Sequence, residues 1–354
     1  RSRGKKSVRA ANTRGGSFNR HDRETLFRNF ANHERILLAI SGGPDSTALM
    51  VLAARWCDAK KNAPKLVAAT VDHGLRKEAK AEAAAVAKLA RKLKIPHHTL
   101  LWRGKKPKTG LPEASRIARY ELLLSLARET KCTAIVTAHT RDDQAETVLH
   151  RIGRGSGITG LAGIRTQRMR DGMHILRPLL DLSKTQLTAF LEKEKIAYAV
   201  DPTNSDPRYL RSRLRALAPL LAKEGIDAAK LALIAQRLGR ADAAIEAAVN
   251  EAQFRASRIS NEKHECLDAR ILFGLPDEVG LRVVRRAANR LGHEGPVELG
   301  KLEALFVMLK ASWPARKRLR RTLAGALLDL SEDRLMIEPA PVRRSARKTQ
   351  GKRR

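Results

Sequence analysis

From Arg35 onward the hydrophobic positions come in short bursts separated by longer amphipathic stretches. Ile36–Ile40 is a continuous apolar run that stops just before a glycine pair, the pattern of a strand buried on both faces. Leu66–Val71, His98–Leu101, Thr133–Thr137 and Ile175–Leu180 are further short strand candidates. Between them Thr47–Cys57, Lys77–Leu93, Glu113–Glu129, Asp142–Ile152 and Lys184–Lys195 space their apolar residues at helical intervals. Such alternation predicts an α/β fold, a doubly wound parallel sheet with ligands at the carboxyl ends of its strands. Around Pro219 the pattern turns helical, in Ala228–Ala256, Glu278–Leu291 and Leu299–Lys310. Two apolar runs, Leu323–Leu330 and Arg334–Ile337, then predict a hairpin about Ser331-Glu332-Asp333. The expected plan is an α/β domain over 22–220 and a smaller, mainly helical domain over 221–342 that ends in that hairpin.

Charge adds a partner to this plan. The 354 residues hold 70 Lys and Arg against 37 Asp and Glu, a formal charge of +33. Residues 1–21 and 343–354 each carry seven basic and no acidic residues, while 22–219 contributes +16 and 220–342 only +3. Both ends lack an apolar pattern and are expected to be disordered basic tails. The first is acid-free and rich in Arg, as organelle transit peptides are, but it has no apolar face. The excess points to a polyanion, most simply a nucleic acid. No apolar run is long enough for a spanning helix, so no membrane partner is expected. Cys57, Cys132 and Cys266 are too far apart for a CxxC pair or a secreted disulfide framework, which suits a reduced cytoplasmic setting.

The chemistry concentrates in Ser41-Gly42-Gly43-Pro44-Asp45-Ser46, set between a strand and a helix. Paired glycines let backbone N–H groups approach phosphate oxygens, and the helix N-terminus adds partial positive charge. Ser41 and Ser46 can donate hydroxyl hydrogen bonds, and Asp45 is suited to holding Mg²⁺ beside a pyrophosphate. The plain alternative is a glycine-rich turn with an N-cap. No Gly-Lys-Ser/Thr follows, so this is not a Walker A loop. Gly155-Ser-Gly157-Ile-Thr-Gly160 matches the dinucleotide fingerprint GxGxxG but follows an expected helix rather than a strand, which removes its phosphate geometry.

In that setting the hexapeptide resembles the SGGxDS loop of the PP-loop ATP pyrophosphatases, HUP-like enzymes that cleave ATP between the α- and β-phosphates and adenylate a substrate. Further segments are similar to the lysidine synthase family, from about Arg35 to Leu221. They are Val71-Asp72-His73-Gly74-Leu75-Arg76, the run Thr137–Thr147 with its core His139-Thr140-Arg141-Asp142-Asp143-Gln144-Ala145-Glu146, and Arg154–Leu161. Asp201-Pro202-Thr203-Asn204 and Arg211-Ser212-Arg213-Leu214-Arg215 resemble two more of its patterns. Ser212, Thr203 and Ser115 depart from the family's usual Asn, Ser and Ala. The resemblance implies ATP and Mg²⁺, free lysine, and a tRNA(Ile) with a CAU anticodon. ATP adenylates C2 of the wobble cytidine, and the lysine ε-amine then displaces AMP.

Candidate residues follow from that task. Ser41–Ser46 with Asp72 and His73 would bind ATP, the latter pair where an adenine would rest across the sheet. Asp143 and Glu146, spaced i, i+3, share one helix face and would hold the lysine ammonium or accept its proton; a solvated acidic helix start is the plain alternative. His139 suits a phosphate contact or a structural role equally. Arg119 would clamp phosphate or developing charge, with Arg116 beside it. Arg211 and Arg215, one helical turn apart, would grip tRNA phosphate or the adenylate, an ordinary basic helix being the plain alternative. With only 4% aromatic residues, a broad base-stacking platform is not expected. The helical domain is expected to touch tRNA, and Arg316–Arg321 is its one concentrated basic patch. Oligomeric state stays open, a homodimer included. Two other readings remain: a PP-loop enzyme acting on another tRNA base or a small molecule, and a nucleotide-sensing RNA binder without catalysis.

Overall fold

A computed structural model of the chain describes residues 17–75, 78–104, 106–107, 109–200 and 210–341, and within them two compact units that part between Gly239 and Arg240. In the first unit six strands line up in the order β3-β2-β1-β4-β6-β5. They are β1 (Arg35–Ala39), β2 (Lys65–Asp72), β3 (His97–Leu101), β4 (Ala134–Thr137), β5 (Gln167–Arg170) and β6 (Met173–Leu176). All neighbours pair in parallel except β5, which lies antiparallel to β6 on the edge. The strand expected at Ile175–Leu180 is therefore shorter, and it is the second half of a hairpin turned at Asp171 and Gly172, both at positive φ.

The apolar runs are continuous because both faces of the sheet are covered. Ile36 and Leu38 point to α2 (Pro44–Asp58), α3 (Ala79–Lys92) and α7 (Lys184–Lys193), while Leu37 packs with Tyr120, Leu123 and Leu124 of α4 (Leu111–Glu129). One strand thus feeds two cores. Helices α5 (Arg141–Ile152), the single turn α6 (Ile158–Leu161) and α8 (Leu210–Lys223) follow. α9 (Ala228–Ala256) begins in this unit, where its Leu231 and Ala235 bury against Ala145 and Val148 of α5. The boundary expected near 220 falls inside α8, which packs on α5.

One part of the expected N-terminal tail is ordered. Asn19 caps α1 (Arg20–Phe27), exchanging hydrogen bonds with Asp22, and Phe18 packs edge-on against Phe190 at 5.3 Å. A lone aromatic in a basic segment carries no periodicity, which hid this anchor from the sequence pattern. The rest of that tail, and the tail at 343–354, lie outside the described residues.

The second unit is helical with more sheet than expected. β7 (Ser257–Ser260), β8 (Glu265–Asp268), β9 (Leu319–Leu323), β10 (Ala326–Ser331) and β11 (Arg334–Pro339) form an antiparallel sheet in the order β7-β8-β11-β10-β9. With α10 (Ala269–Phe273), α11 (Asp277–Leu291) and α12 (Leu299–Ser312) it encloses Val283, Val284, Leu302, Leu309, Leu328 and Ile337. The hairpin pairs Ser331 with Arg334. The run Leu323–Leu330, however, is two strands. Ala324 and Gly325 both take positive φ and turn the chain between Leu323 and Ala326. No helix among the described residues is long and apolar enough to cross a membrane.

Candidate active site

The order of strands places a crevice between the carboxyl ends of β1 and β4, where the chain's progress across the sheet reverses. Ser41–Ser46 leaves β1 on one side. Its shape is set internally: Gly42 takes φ +89°, and its carbonyl accepts from the Ala199 N–H at 2.9 Å and the Thr47 hydroxyl at 3.2 Å. The Ser46 hydroxyl donates to the Gly43 carbonyl and accepts from the Ser41 N–H, both at 3.1 Å. Ser46 thus shapes the loop, while Ser41 is exposed at its mouth. Gly43 caps α2, Pro44 fills its first position, and the first helical bond runs from the Thr47 N–H to the Gly43 carbonyl at 3.0 Å. The N–H groups of Asp45 and Ser46 precede that bond and lie in the helix's first turn, the part of a helix suited to meeting an anion.

On the other side Thr140 caps α5 through reciprocal bonds with Asp143, its N–H and hydroxyl each donating to Asp143 Oδ2 at 2.8 Å. The start of α7 is pinned to the same corner. The Lys184 N–H donates to Asp142 Oδ2 at 2.8 Å, and the Arg141 N–H to the Leu182 carbonyl at 2.8 Å. Three helix N-termini meet here, and the Lys184 side chain joins them. Its ammonium lies 3.0 Å from Asp143 Oδ1 and 3.8 Å from Asp45 Oδ2. Sequence reasoning placed Asp45 and Asp143 in one site but missed this lysine. The signal was a cation in the first turn of a helix behind a Ser183–Gln186 capping box, where the macrodipole favours an anion.

The two carboxylates are pushed in opposite directions. Burial raises Asp45 to about 6, against the pull of Lys184. Burial also opposes ionisation of Asp143, but Lys184 and the Thr140 hydrogen bonds outweigh it and hold that carboxyl below its usual value. Asp45 Oδ1 is buried with no hydrogen-bond partner among the described residues. A buried carboxylate oxygen left open beside a phosphate-shaped turn fits a divalent cation shared with phosphate oxygens, so the donors present suit Mg²⁺.

Glu146 is reached from α8. Arg215 engages its Oε1 through Nε at 2.8 Å and Nη2 at 2.7 Å, and the Glu146 side chain is 11% exposed. Two of the expected residues therefore hold each other. His139 is half-buried at the end of β4, its Nδ1 sharing a hydrogen bond with the Thr137 hydroxyl at 2.8 Å. Burial, and next the Arg177 cation, drive its pKa down to about 3, so the ring is neutral. Asp72 is spent on its own turn, accepting from the Gly74 N–H at 2.8 Å. His73 stands edge-on to Trp102 at 5.7 Å; burial, then Arg119 and Lys106, lower its pKa. Arg170, Arg116 and Arg119 lie over the buried Tyr120 ring at 4.5, 5.4 and 5.7 Å. The charge of Arg119 is felt at both His73 and His139, which sets it beside the crevice. The Arg211 side chain and residues 201–204 lie outside the described residues.

Gln144 is a further residue that pattern reading passed over. Its side chain donates to the Ile164 carbonyl at 3.1 Å and accepts from the Ile164 N–H at 2.6 Å. Arg151 donates to the carbonyls of Gly160 and Gly163. Together they tie the glycine-rich 155–163 segment to α5, and that segment follows a helix, as its sequence implied.

A mostly parallel sheet with this loop at its switch point defines a nucleotide-binding α/β protein, and the family model of the PP-loop domain matches residues 18–221. The tRNA(Ile)-lysidine synthase of Rhodopseudomonas palustris is 51% identical over 326 residues, which cover 90% of this chain and 94% of that one. That of a Bradyrhizobium species (strain BTAi1) is 50% identical over 337 residues, covering 91% and 94%. The chain belongs to the tRNA(Ile)-lysidine synthase family. Among solved structures, the U34-tRNA thiolase NcsA of Methanococcus maripaludis superposes with a TM-score of 0.54 at 19% identity, over 62% of this chain and 77% of that one, a likeness of fold.

Proposed function

We propose that this chain joins free lysine to C2 of the wobble cytidine in a CAU-anticodon tRNA(Ile), using ATP and releasing AMP and pyrophosphate. One observation carries the site assignment: the chain of contacts Asp45–Lys184–Asp143 at the meeting of three helix N-termini. Carboxylates that hold an ε-ammonium in a place built for phosphate are what an enzyme joining lysine through an adenylate needs.

In the first step the cytidine C2 oxygen attacks the α-phosphate of ATP, and pyrophosphate leaves. The turn of Gly42–Ser46 orients the phosphates, and Arg119 stabilises the charge that develops on them. Mg²⁺ bound at Asp45 would neutralise the leaving pyrophosphate. In the second step the lysine ε-amine attacks C2 and AMP departs with the original oxygen. Asp143, held ionised, is suited to binding ammonium. Removal of the proton falls to Glu146, the other carboxylate of that helix face, whose Oε1 is held by Arg215. His139, being neutral, offers a hydrogen bond rather than a charge. Arg116, Arg211 and Arg215 are assigned to tRNA phosphates, Arg215 after exchange from Glu146, and the second unit to the body of the tRNA.

Incubation with ATP, labelled lysine and CAU-anticodon tRNA(Ile) tests this. Lysine should enter the tRNA with one AMP released per lysine. AMP release with another acceptor would favour a different PP-loop substrate, and binding of nucleotide and RNA with no AMP release would favour a non-catalytic binder.

A further inference from the structure

The Lys184 side chain contacts both Asp45 and Asp143. Its setting is electrostatically odd. It starts α7, and the positive ends of α2 and α5 converge on the same spot, so three helix dipoles oppose a cation there. Three carboxylates favour it: Asp143 and Asp45 in contact, and Glu146 through its charge. A triphosphate entering the crevice would be favoured by all three helix ends and would offer the ammonium a stronger partner than either carboxylate. The group Lys184 presents to Asp143 is also the group the substrate would present, an ε-ammonium on a flexible chain.

We propose that Lys184 occupies the lysine subsite until nucleotide arrives, then turns to the phosphates and uncovers Asp143, so that ATP binds before lysine. The proposal rests on the reading of Asp143 as a lysine ligand. Lys184 then contacts substrate phosphate in the first step and is absent from the amine's path in the second. Its backbone N–H, bonded to Asp142, stays in place while the side chain swings, so α7 keeps its cap.

Equilibrium dialysis of the full chain with labelled lysine, with and without the α,β-methylene analogue of ATP, separates the possibilities. In the unsubstituted chain the analogue should tighten lysine binding roughly fivefold or more, the usual size of coupling between sites. Lys184→Met should bind lysine without the analogue about as well as the unsubstituted chain does with it. The same variant should bind the analogue roughly tenfold more weakly, having lost a charge-assisted contact. Lys184→Arg, which keeps the charge, should keep the analogue dependence and serves as the folding control. Unchanged analogue affinity together with unchanged analogue dependence in Lys184→Met would overturn the proposal. If the unsubstituted chain binds the analogue but never lysine, the ligase reading falls. In that case the analogue affinity of Lys184→Met still decides whether Lys184 meets phosphate.

Discussion

Gly42→Ala offers a direct probe of whether the loop's shape matters to nucleotide binding. Gly42 has φ +89°, and a Cβ there would sit 3.3 Å from Val86 Cγ2. If the loop keeps its shape, an L-residue in left-handed backbone costs roughly 1–2 kcal/mol, and Val86 must yield a few tenths of an ångström. If the backbone relaxes to negative φ instead, the Gly42 carbonyl swings away from the Ala199 N–H and the Thr47 hydroxyl. Two lost hydrogen bonds, at about 0.5–1.5 kcal/mol each, lead to a similar figure of about 1–3 kcal/mol. The first route destabilises the fold and leaves ATP affinity largely alone. The second also destabilises the fold, by the two lost hydrogen bonds, and it weakens ATP binding as well, by up to roughly 30-fold, because the nucleotide must restore the strained native turn. Calorimetric titration with the α,β-methylene analogue, paired with thermal melting, tells which route is taken. A variant unchanged in both would refute the reading that this turn requires a glycine at position 42.

Other outcomes follow from named contacts. Glu146→Gln should mainly raise the lysine KM and lower the rate of the second step, leaving adenylation near its original rate; unchanged lysine kinetics would remove Glu146 from the site. Arg282→Met should destabilise the second unit by about 3–5 kcal/mol, because Arg282 is 1% exposed and its loss strips the fully buried Asp242 of a 2.7 Å partner. A fall under about 1 kcal/mol in urea unfolding would show the cluster with Glu246 and Glu278 to be dispensable. Asp268 is held below the usual carboxylate value by its Arg270 hydrogen bond, with Arg258 second. A depressed folded-state value means stability present above the unfolded value and lost as pH falls through the folded one. Asp268→Asn should therefore lower the urea midpoint clearly near pH 7 and progressively less toward about pH 3 and below. A pH-independent difference would contradict the linkage.

Much of this protein was legible along the chain. Ile36–Ile40 and the other apolar runs marked buried strands because a sheet covered on both faces removes the need for alternation, as Leu37 and Leu38 feeding separate cores illustrate. The strand–loop–helix setting of Ser41–Ser46 was legible because glycine and a helix start act through local backbone geometry. Local geometry is written locally, and so the loop between β1 and α2 and the start of α5 could be anticipated. Errors arose where neighbours in space decide: β9 split from β10 at Ala324-Gly325, β5 folded back on β6, and Phe18 drew part of a basic tail into the core. The occupants of the site belong to the same class. Nothing in the spacing of Lys184 or Arg215 says that one bridges Asp45 and Asp143 or that the other holds Glu146. An ion pair depends on distances between side chains more than 40 residues apart, and only the packing of α5, α7 and α8 around the end of the sheet brings those charges together.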